Sequence, residues 1–279
     1  KSPFWGSVES KIGDRTREKN AIWDVTTSLN AGKFFPNNLK LTLPVFFNYG
    51  ETRITPLFNP LDPDVELEAI IKSDLDVTTK EKIVDWSRDR TIRKGFNVSN
   101  VRIDGLKRPN AKPMPWDISN FSATYAFNEL TRSNVNLEYN TNRQYRGNLQ
   151  YSFSIRKPLT IKPFEKTKIF QKKWFTLIKE LNLQLVPNSF ASSIDVNRTY
   201  SAIKNRDITS FYNTGEGGNS TNDILNPVLV NKNFTMTRNY NFIWNLTKSI
   251  KYDYSATNES RIMERPGEVN DANRKSNMD

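Results

Sequence analysis

The clearest pattern in the chain is the alternation of apolar and polar side chains over residues 116–156. Apolar residues occupy odd positions and polar residues occupy even positions, first over 121–128, then over 134–140, and again over 145–156. A period of two residues is typical of a β-strand with one apolar and one polar face. With short links at 129–133 and 141–144, the pattern predicts an antiparallel meander of three strands.

The two faces of this meander differ in chemistry as well as in polarity. Tilted by about 45°, a strand of about ten residues has the length that crosses the apolar layer of an outer membrane. For a barrel wall we expect the lipid-facing residues to be Tyr125, Phe127, Leu137, Tyr139, Leu149, Tyr151 and Phe153, and the lumen-facing residues to be Asn136, Glu138, Arg146, Asn148, Gln150 and Ser152. A soluble antiparallel sheet with one wet face alternates in the same way.

The same alternation recurs from Ala21 to Ile262 and predicts about ten strands, with no helix between most of them. The fold class is therefore all-β, and the repeated aromatic faces favour an antiparallel transmembrane β-barrel segment over a soluble sandwich. The whole of 1–279 is expected to be part of one outer-membrane barrel domain. Both ends look cut, so we expect a longer chain.

Two residues break the alternation. Arg238 has the parity of the apolar face, where a lipid-exposed arginine is costly. We expect it near a membrane interface, after a β-bulge, or covered by protein. Pro44 lies inside an alternating run and cannot donate a ladder hydrogen bond, so we expect an edge, a bulge or a break there.

Residues 50–91 are expected to form a long, partly helical loop insertion. Its proline-rich start predicts turns, and helices are predicted at 65–72 and 79–90. Asp62, Asp64 and Glu66 have neither the glycine nor the distal glutamate of a calcium loop, which favours turn and helix-cap roles over a metal site.

Composition narrows the functional classes. The chain has no Cys and no His, which excludes thiolate nucleophiles, serine–histidine triads and imidazole-ligated zinc. We expect no enzyme activity, no catalytic residues, no cofactor and no metal. The net charge of +11 is scattered along the chain and lies mostly opposite the aromatic faces, so we expect no nucleic-acid partner.

Four stretches resemble the SprA/Sov family, namely 58–64, 112–121, 140–151 and 225–240. That family supplies the outer-membrane translocon of the type 9 secretion system in Bacteroidota and is also required for gliding motility. The resemblance implies a protein-conducting barrel of which this chain is one wall segment, located in the bacterial outer membrane. It also implies secreted protein cargo, outer-membrane lipid, a PorV-type barrel and a periplasmic plug protein as partners.

Two alternatives stay open from the residues: a segment of another outer-membrane barrel such as a TonB-dependent receptor, or a soluble β-sheet binding module. For a barrel, loop lengths predict sidedness, because extracellular loops are long and periplasmic turns are short. Loops 50–91, 157–180 and 201–230 are expected on the extracellular rim, and turns 141–144, 187–189 and 247–249 on the periplasmic rim.

Overall fold

Long antiparallel strands dominate the fold. The computed structural model describes residues 4–5, 16–104, 114–155, 160–161, 183–207, 226–247 and 250–262. Within these ranges the long strands are β1 (Thr16–Asn30), β2 (Pro44–Pro56), β3 (Asp89–Ile103), β4 (Phe121–Ser133), β5 (Leu137–Ser154), β6 (Ser189–Asn205), β7 (Leu229–Asn245) and β8 (Lys251–Ile262). Each pairs antiparallel with the next along the chain.

The eight long strands therefore form one up-and-down sheet. Two short strands extend it: Phe4–Trp5 pairs with β1, and Leu41–Thr42 pairs with β3. Among the described strands the first and the last are not paired with each other, so this sheet is open. The all-β, antiparallel part of the expected fold class is thus observed, while closure into a barrel is not seen in the described residues.

The expected three-strand meander is a two-strand hairpin. Residues 129–133 belong to β4 and residues 141–144 lie inside β5, so the only turn between them is at 134–136. The polar link predicted at 141–144 is wrong because its side chains pair across strands: Arg143 binds Glu129, and Thr141 lies 3.3 Å from Thr131 between their Oγ1 atoms.

The alternation of Leu181, Leu183 and Leu185 accounts for another of the roughly ten predicted strands. Within the described residues, Leu183–Gln184 is extended and pairs with Thr160–Ile161, outside the main sheet. The count therefore falls from about ten long strands to eight. Successive connections alternate between the two ends of an up-and-down sheet. One strand fewer precedes 157–180 than expected, so the strand ends that flank it lie at the opposite end of the sheet. Two strands fewer precede 201–230, so the strand ends that flank it lie at the expected end.

We name the two ends of the sheet after this topology. The helical rim comprises the strand ends joined by 57–88, 134–136 and 206–228, and the second rim those joined by 31–43, 104–120, 155–188 and 246–250. The strand ends that flank 50–91 and 201–230 share the helical rim, as expected, whereas those that flank 157–180 lie at the second rim. Most of 157–180 and of 201–230 lies outside the described residues, and which rim is extracellular stays a prediction.

The insertion is shorter than 50–91, because β2 continues to Pro56 and β3 begins at Asp89. It contains α1 (Leu67–Lys72), α2 (Val77–Ser87) and a two-strand ladder of Phe58–Asn59 with Asp62–Glu66. Asp76 caps α2 by accepting from the amide and the hydroxyl of Thr78, and these hydrogen bonds lower the pKa of Asp76. The second helix therefore begins after Asp76, two residues before the start predicted at 79.

Both proline and bulge signals are visible at the second rim. The extended chain breaks at Leu43, between Leu41–Thr42 and β2, which confirms the break expected at Pro44. A register shift between Val98 and Val101 marks a bulge in β3, and Asn100 has a φ of 51° there. Among the described residues, no helix has the length and apolar character that a membrane crossing would need.

Candidate functional site: the two faces of the sheet

Strand register sorts the side chains of the sheet into two continuous faces. Registered partners in an antiparallel sheet point to the same side, and neighbours along a strand point to opposite sides. One set of rows runs through Phe47, Phe96, Phe127 and Tyr145, and we call this side the apolar face. The other side carries mainly Asn, Ser, Thr and charged residues, and we call it the polar face.

The residues that the sequence singled out are separated by these faces. The apolar face carries Tyr125, Phe127, Leu137, Tyr139, Leu149, Tyr151 and Phe153, and the polar face carries Glu138, Arg146, Asn148, Gln150 and Ser152. Asn136 lies in the turn before β5 and is not part of the wall. Leu137 and Tyr139 lie on the helical-rim side of Arg143, outside the continuous apolar band. Which face contacts lipid stays a prediction.

The apolar band crosses the sheet obliquely. On β1 it is centred on Val25, whose row crosses β5 at Arg143. On β8 it is centred on Tyr254, whose row crosses β5 at Phe153, ten residues further along. Seven strand-to-strand steps separate β1 from β8, so at about 3.3 Å per residue and about 4.8 Å per strand the band slopes by about 45° to the rows. The strands are therefore tilted by about 45° from the normal of a plane that lies along the band.

Aromatic side chains pack against one another along the apolar face instead of beneath a second layer. Ring centroids lie 5.0 Å apart for Phe127 and Tyr145, and 4.9 Å apart for Phe121 and Tyr151. Many of these side chains stay open: Leu149 is 46% exposed. A large exposed apolar surface of this kind marks contact with a membrane or another apolar partner.

The polar face is held together by hydrogen bonds between side chains of different strands. Asn148 donates to Asp195 at 2.5 Å, Asn239 donates to Ser193 at 3.2 Å, and Thr257 donates to Asn239 at 3.0 Å. These contacts connect β5, β6, β7 and β8. The face offers hydrated amides and hydroxyls without an apolar patch, which suits a wall that does not retain passing protein.

The apolar face ends toward the helical rim in two charged clusters. In the first, Glu51 is only 1% exposed and accepts from the guanidinium groups of Arg53 and Arg90, the latter at 2.7 Å. In the second, Glu129 accepts from Lys94 at 2.9 Å and from Arg143 at 2.7 Å. Each carboxylate thus holds two cations. We call Arg53, Arg90, Lys94 and Arg143 together the cationic patch.

The insertion is tied to the sheet at the helical rim. The guanidinium of Arg206, just after β6, lies 4.6 Å from the ring centroid of Trp86 in α2. Burial at this contact lowers the pKa of Arg206, although that group stays charged under all physiological conditions. Lys19 of β1 forms an ion pair with Glu68 of α1 at 2.9 Å, which lowers the pKa of Glu68. The helices therefore contact both β1 and the end of β6.

The second rim presents a well-anchored tryptophan. Trp116 is 76% exposed, at the tip of a turn closed by the amide of Met114 donating to Asp117 at 2.8 Å. The hydroxyl of Tyr151 donates to the carbonyl of Pro115 at 2.6 Å and attaches this turn to β5. An exposed tryptophan on a fixed turn is typical of a membrane–water interface.

Arg238 lies in the middle of β7, on the apolar face, between Ile194 and Asn258 in continuous register. No bulge precedes it, so that part of the expectation is wrong. Its side chain is half-buried, and its Nε atom is enclosed without a hydrogen-bond partner in the described part of the chain. Its depth in a membrane stays a prediction.

Sequence reasoning missed the charged clusters. Residues 129–133 were read as a link and Arg90 as the end of a helix, so the strands that carry the clusters were cut short. The alternation of the sequence could have indicated the first cluster. Glu51 and Arg53 continue the odd positions of Tyr49, and their charges have opposite signs.

The described residues offer no grouping of three or more His, Cys, Asp or Glu that could hold a metal ion. Asp62, Asp64 and Glu66 lie in the short ladder before α1. The Gly-rich segment at 215–218 lies outside the described residues. The arrangement that the sequence and structure bring together is thus a two-sided wall with charged edges.

One protein-family model matches part of this chain. Residues 1–71 match the SprA_N family, described as motility related/secretion protein, from the start of the chain through β1, β2 and most of α1. No curated protein matches the chain. This match over the first 71 residues supports the resemblance to the SprA/Sov family, and its description is that of a motility- and secretion-related protein.

Proposed function

We propose that this chain is a wall segment of an outer-membrane β-barrel that conducts folded proteins in the type 9 secretion system. In this role the chain acts in the outer membrane. Its role is structural and transport-related rather than catalytic. Its partners are outer-membrane lipid on the apolar face and secreted protein cargo on the polar face, with a PorV-type barrel and a periplasmic plug protein implied by the family.

The observation that carries this proposal is the exposed, oblique apolar band. In a soluble sheet the apolar face is covered by a second layer. Here the described residues leave the band open across eight strands, and its slope of about 45° agrees with the strand tilt of about 35–45° in outer-membrane barrels. A bilayer provides the missing cover, because ladder hydrogen bonds between neighbouring strands satisfy the backbone inside the sheet.

The polar face supports the transport part of the proposal. A conduit for folded proteins needs a wet surface that binds no cargo tightly. Hydrogen bonds such as that from Asn148 to Asp195 satisfy part of the polar face within the wall, so those groups are not available to bind passing protein.

Residues 1–279 contain no Cys, so single thiols can be introduced into this segment of the full-length protein, with the unsubstituted protein as the labelling control. Single substitutions Asn148→Cys and Leu149→Cys place thiols one residue apart on opposite faces. A water-soluble maleimide should label position 148 and spare position 149 in outer-membrane fractions. Coupling a bulky polyethylene glycol maleimide at 148 should then slow protein export.

Three results would contradict the proposal. They are absence of the protein from the outer membrane, equal labelling at both positions, and normal export after full modification at 148. A TonB-dependent receptor segment would also show the labelling difference, but its modification would impair ligand uptake and leave protein export unchanged.

A further inference from the structure

The cationic patch is a dense group of charges on a face whose other residues are mainly aromatic and aliphatic, with Arg198 and Arg238 among the exceptions. Its four cations belong to three strands, β2, β3 and β5, and their side chains are between 41% and 47% exposed. We propose that this patch binds the phosphate groups of membrane lipids. The inference rests on the proposed function, because it requires the apolar face to contact a bilayer.

Two carboxylates organise the patch without cancelling it. Glu51 lies between Arg53 and Arg90, which are registered partners on neighbouring strands and would otherwise repel each other. Glu129 lies on the strand between those of Lys94 and Arg143 and is the registered partner of both. Each cluster keeps one net positive charge, so the patch carries two. Because the carboxylates are mostly buried and the cations half-exposed, the positive groups are the ones presented to an incoming anion.

The order of chemistry along the strands matches the order within a lipid. Moving toward the helical rim, β4 presents Tyr125, Phe127 and then Glu129, while β5 presents Leu149, Tyr145 and then Arg143. Apolar and aromatic side chains thus come first and charged groups follow. Acyl chains, interfacial region and phosphate follow one another in the same sequence, and aromatic residues favour the interfacial level.

A guanidinium also packs against an aromatic ring at this level. The Cζ atom of Arg143 lies 5.7 Å from the ring centroid of Tyr200. This contact and the bond to Glu129 fix two sides of the guanidinium and limit the freedom it loses when it binds an anion. Arginine suits this task because its planar fork matches phosphate oxygens.

The polar face provides a matched control at the same height on the strands. Arg93 and Arg132 lie there, and Arg132 forms an ion pair with Asp89 at 2.7 Å. Arg93 donates to the hydroxyl of Thr52 at 3.3 Å. Arg93 precedes Lys94 on β3, and Arg132 lies on β4 between Thr131 and Ser133. Removing both therefore changes the net charge equally, but on the other side of the wall.

The test compares two double variants of the full-length protein in nanodiscs. Arg90→Gln with Arg143→Gln removes one cation from each cluster and leaves each carboxylate one partner. Arg93→Gln with Arg132→Gln is the control. Affinity for phosphatidylglycerol relative to phosphatidylcholine, measured by native mass spectrometry of retained lipid, should fall about 10- to 30-fold in the first variant and stay unchanged in the control.

Further arms identify the source of the phosphate. Stronger retention of lipid A than of phosphatidylglycerol would support the inference and assign the helical rim to the outer leaflet, and the reverse would support it for the inner leaflet. An equal loss of affinity for phosphatidylglycerol in both double variants would overturn the inference. It would also be overturned if inorganic phosphate alone protected the protein from thermal unfolding as well as the anionic lipid does.

Outer-membrane fractionation separates the two possible failures. If the variants reach the outer membrane and keep their preference for anionic lipid, the inference is wrong and the proposed function stands. If the wild-type protein is absent from that membrane, the proposed function itself fails.

Discussion

The helical insertion buries several of its apolar side chains, whereas the sheet leaves most of its own at least partly exposed. Of the five buried apolar side chains in the described residues, three belong to the insertion, namely Leu67, Ile70 and Ile83. The sheet is far larger, yet it contributes only Phe153 and Ala202. The insertion therefore builds a small core of its own, as water-soluble units do, whereas the sheet leaves its apolar side chains open.

Under the proposed function, the two regions face different solvents. Ladder hydrogen bonds hold the sheet together, and an apolar medium can cover its band without a second protein layer. The helices need water on their outer side and a packed inner side. The helical rim is where the two requirements meet.

The largest expected effect is a charge placed on the apolar face. Leu149→Lys should destabilise the protein in lipid vesicles by about 2–4 kcal/mol if residue 149 lies near the middle of the bilayer. Asn148→Lys should cost much less, because the new ammonium lies on the wet face beside Asp195. Urea unfolding in vesicles measures both, and equal costs would argue against the assignment of faces.

Truncation of apolar side chains should separate the two regions next. Ile83→Ala leaves a cavity in the small core of the insertion and should cost about 2–3 kcal/mol locally. Leu149→Ala should cost under about 1 kcal/mol, because mobile lipid fills the space of a half-exposed side chain. Limited proteolysis within 57–88 should accelerate only in the first variant. Comparable loss of global stability in both would contradict the distinction.

Glycines sharpen the comparison between the two faces of the sheet. A Cβ on Gly95 would lie 1.8 Å from Oδ1 of Asn48 on the polar face, whereas a Cβ on Gly147 would meet nothing within 4 Å on the apolar face. Gly95→Ala should therefore cost about 1–2 kcal/mol, while Gly147→Ala should be neutral or slightly stabilising. Thermal unfolding in nanodiscs compares them, and a reversed order would show that the polar face is loosely packed.

The smallest expected effect concerns the contact that joins the two regions. Trp86→Leu keeps an apolar side chain and removes the cation–π contact with Arg206, which should weaken the docking of α2 by about 0.5–1 kcal/mol. Hydrogen exchange of α2 amides should rise a few-fold while exchange in β6 stays unchanged. Faster exchange along the whole of β6 would mean that the insertion supports the sheet rather than resting on it.

The two faces of the sheet can be predicted from the amino-acid sequence alone. A period of two is a local property, so Phe121 to Phe127 and Tyr145 to Phe153 were assigned to one side before any strand was paired. The two helices and the break at Pro44 were also local signals, since helix periodicity and the missing amide of proline act within a few residues.

The ends of the strands and the partners of the ion pairs depend on the folded arrangement of the chain. The stretch 141–144 looked like a turn because polar residues usually mark one, yet Arg143 is a strand residue once Glu129 faces it across fourteen residues of chain. The rim of 157–180, the burial of Glu51 and the slope of the apolar band depend on register between distant strands. Register is set by non-local pairing, and a one-dimensional pattern carries no direct record of it.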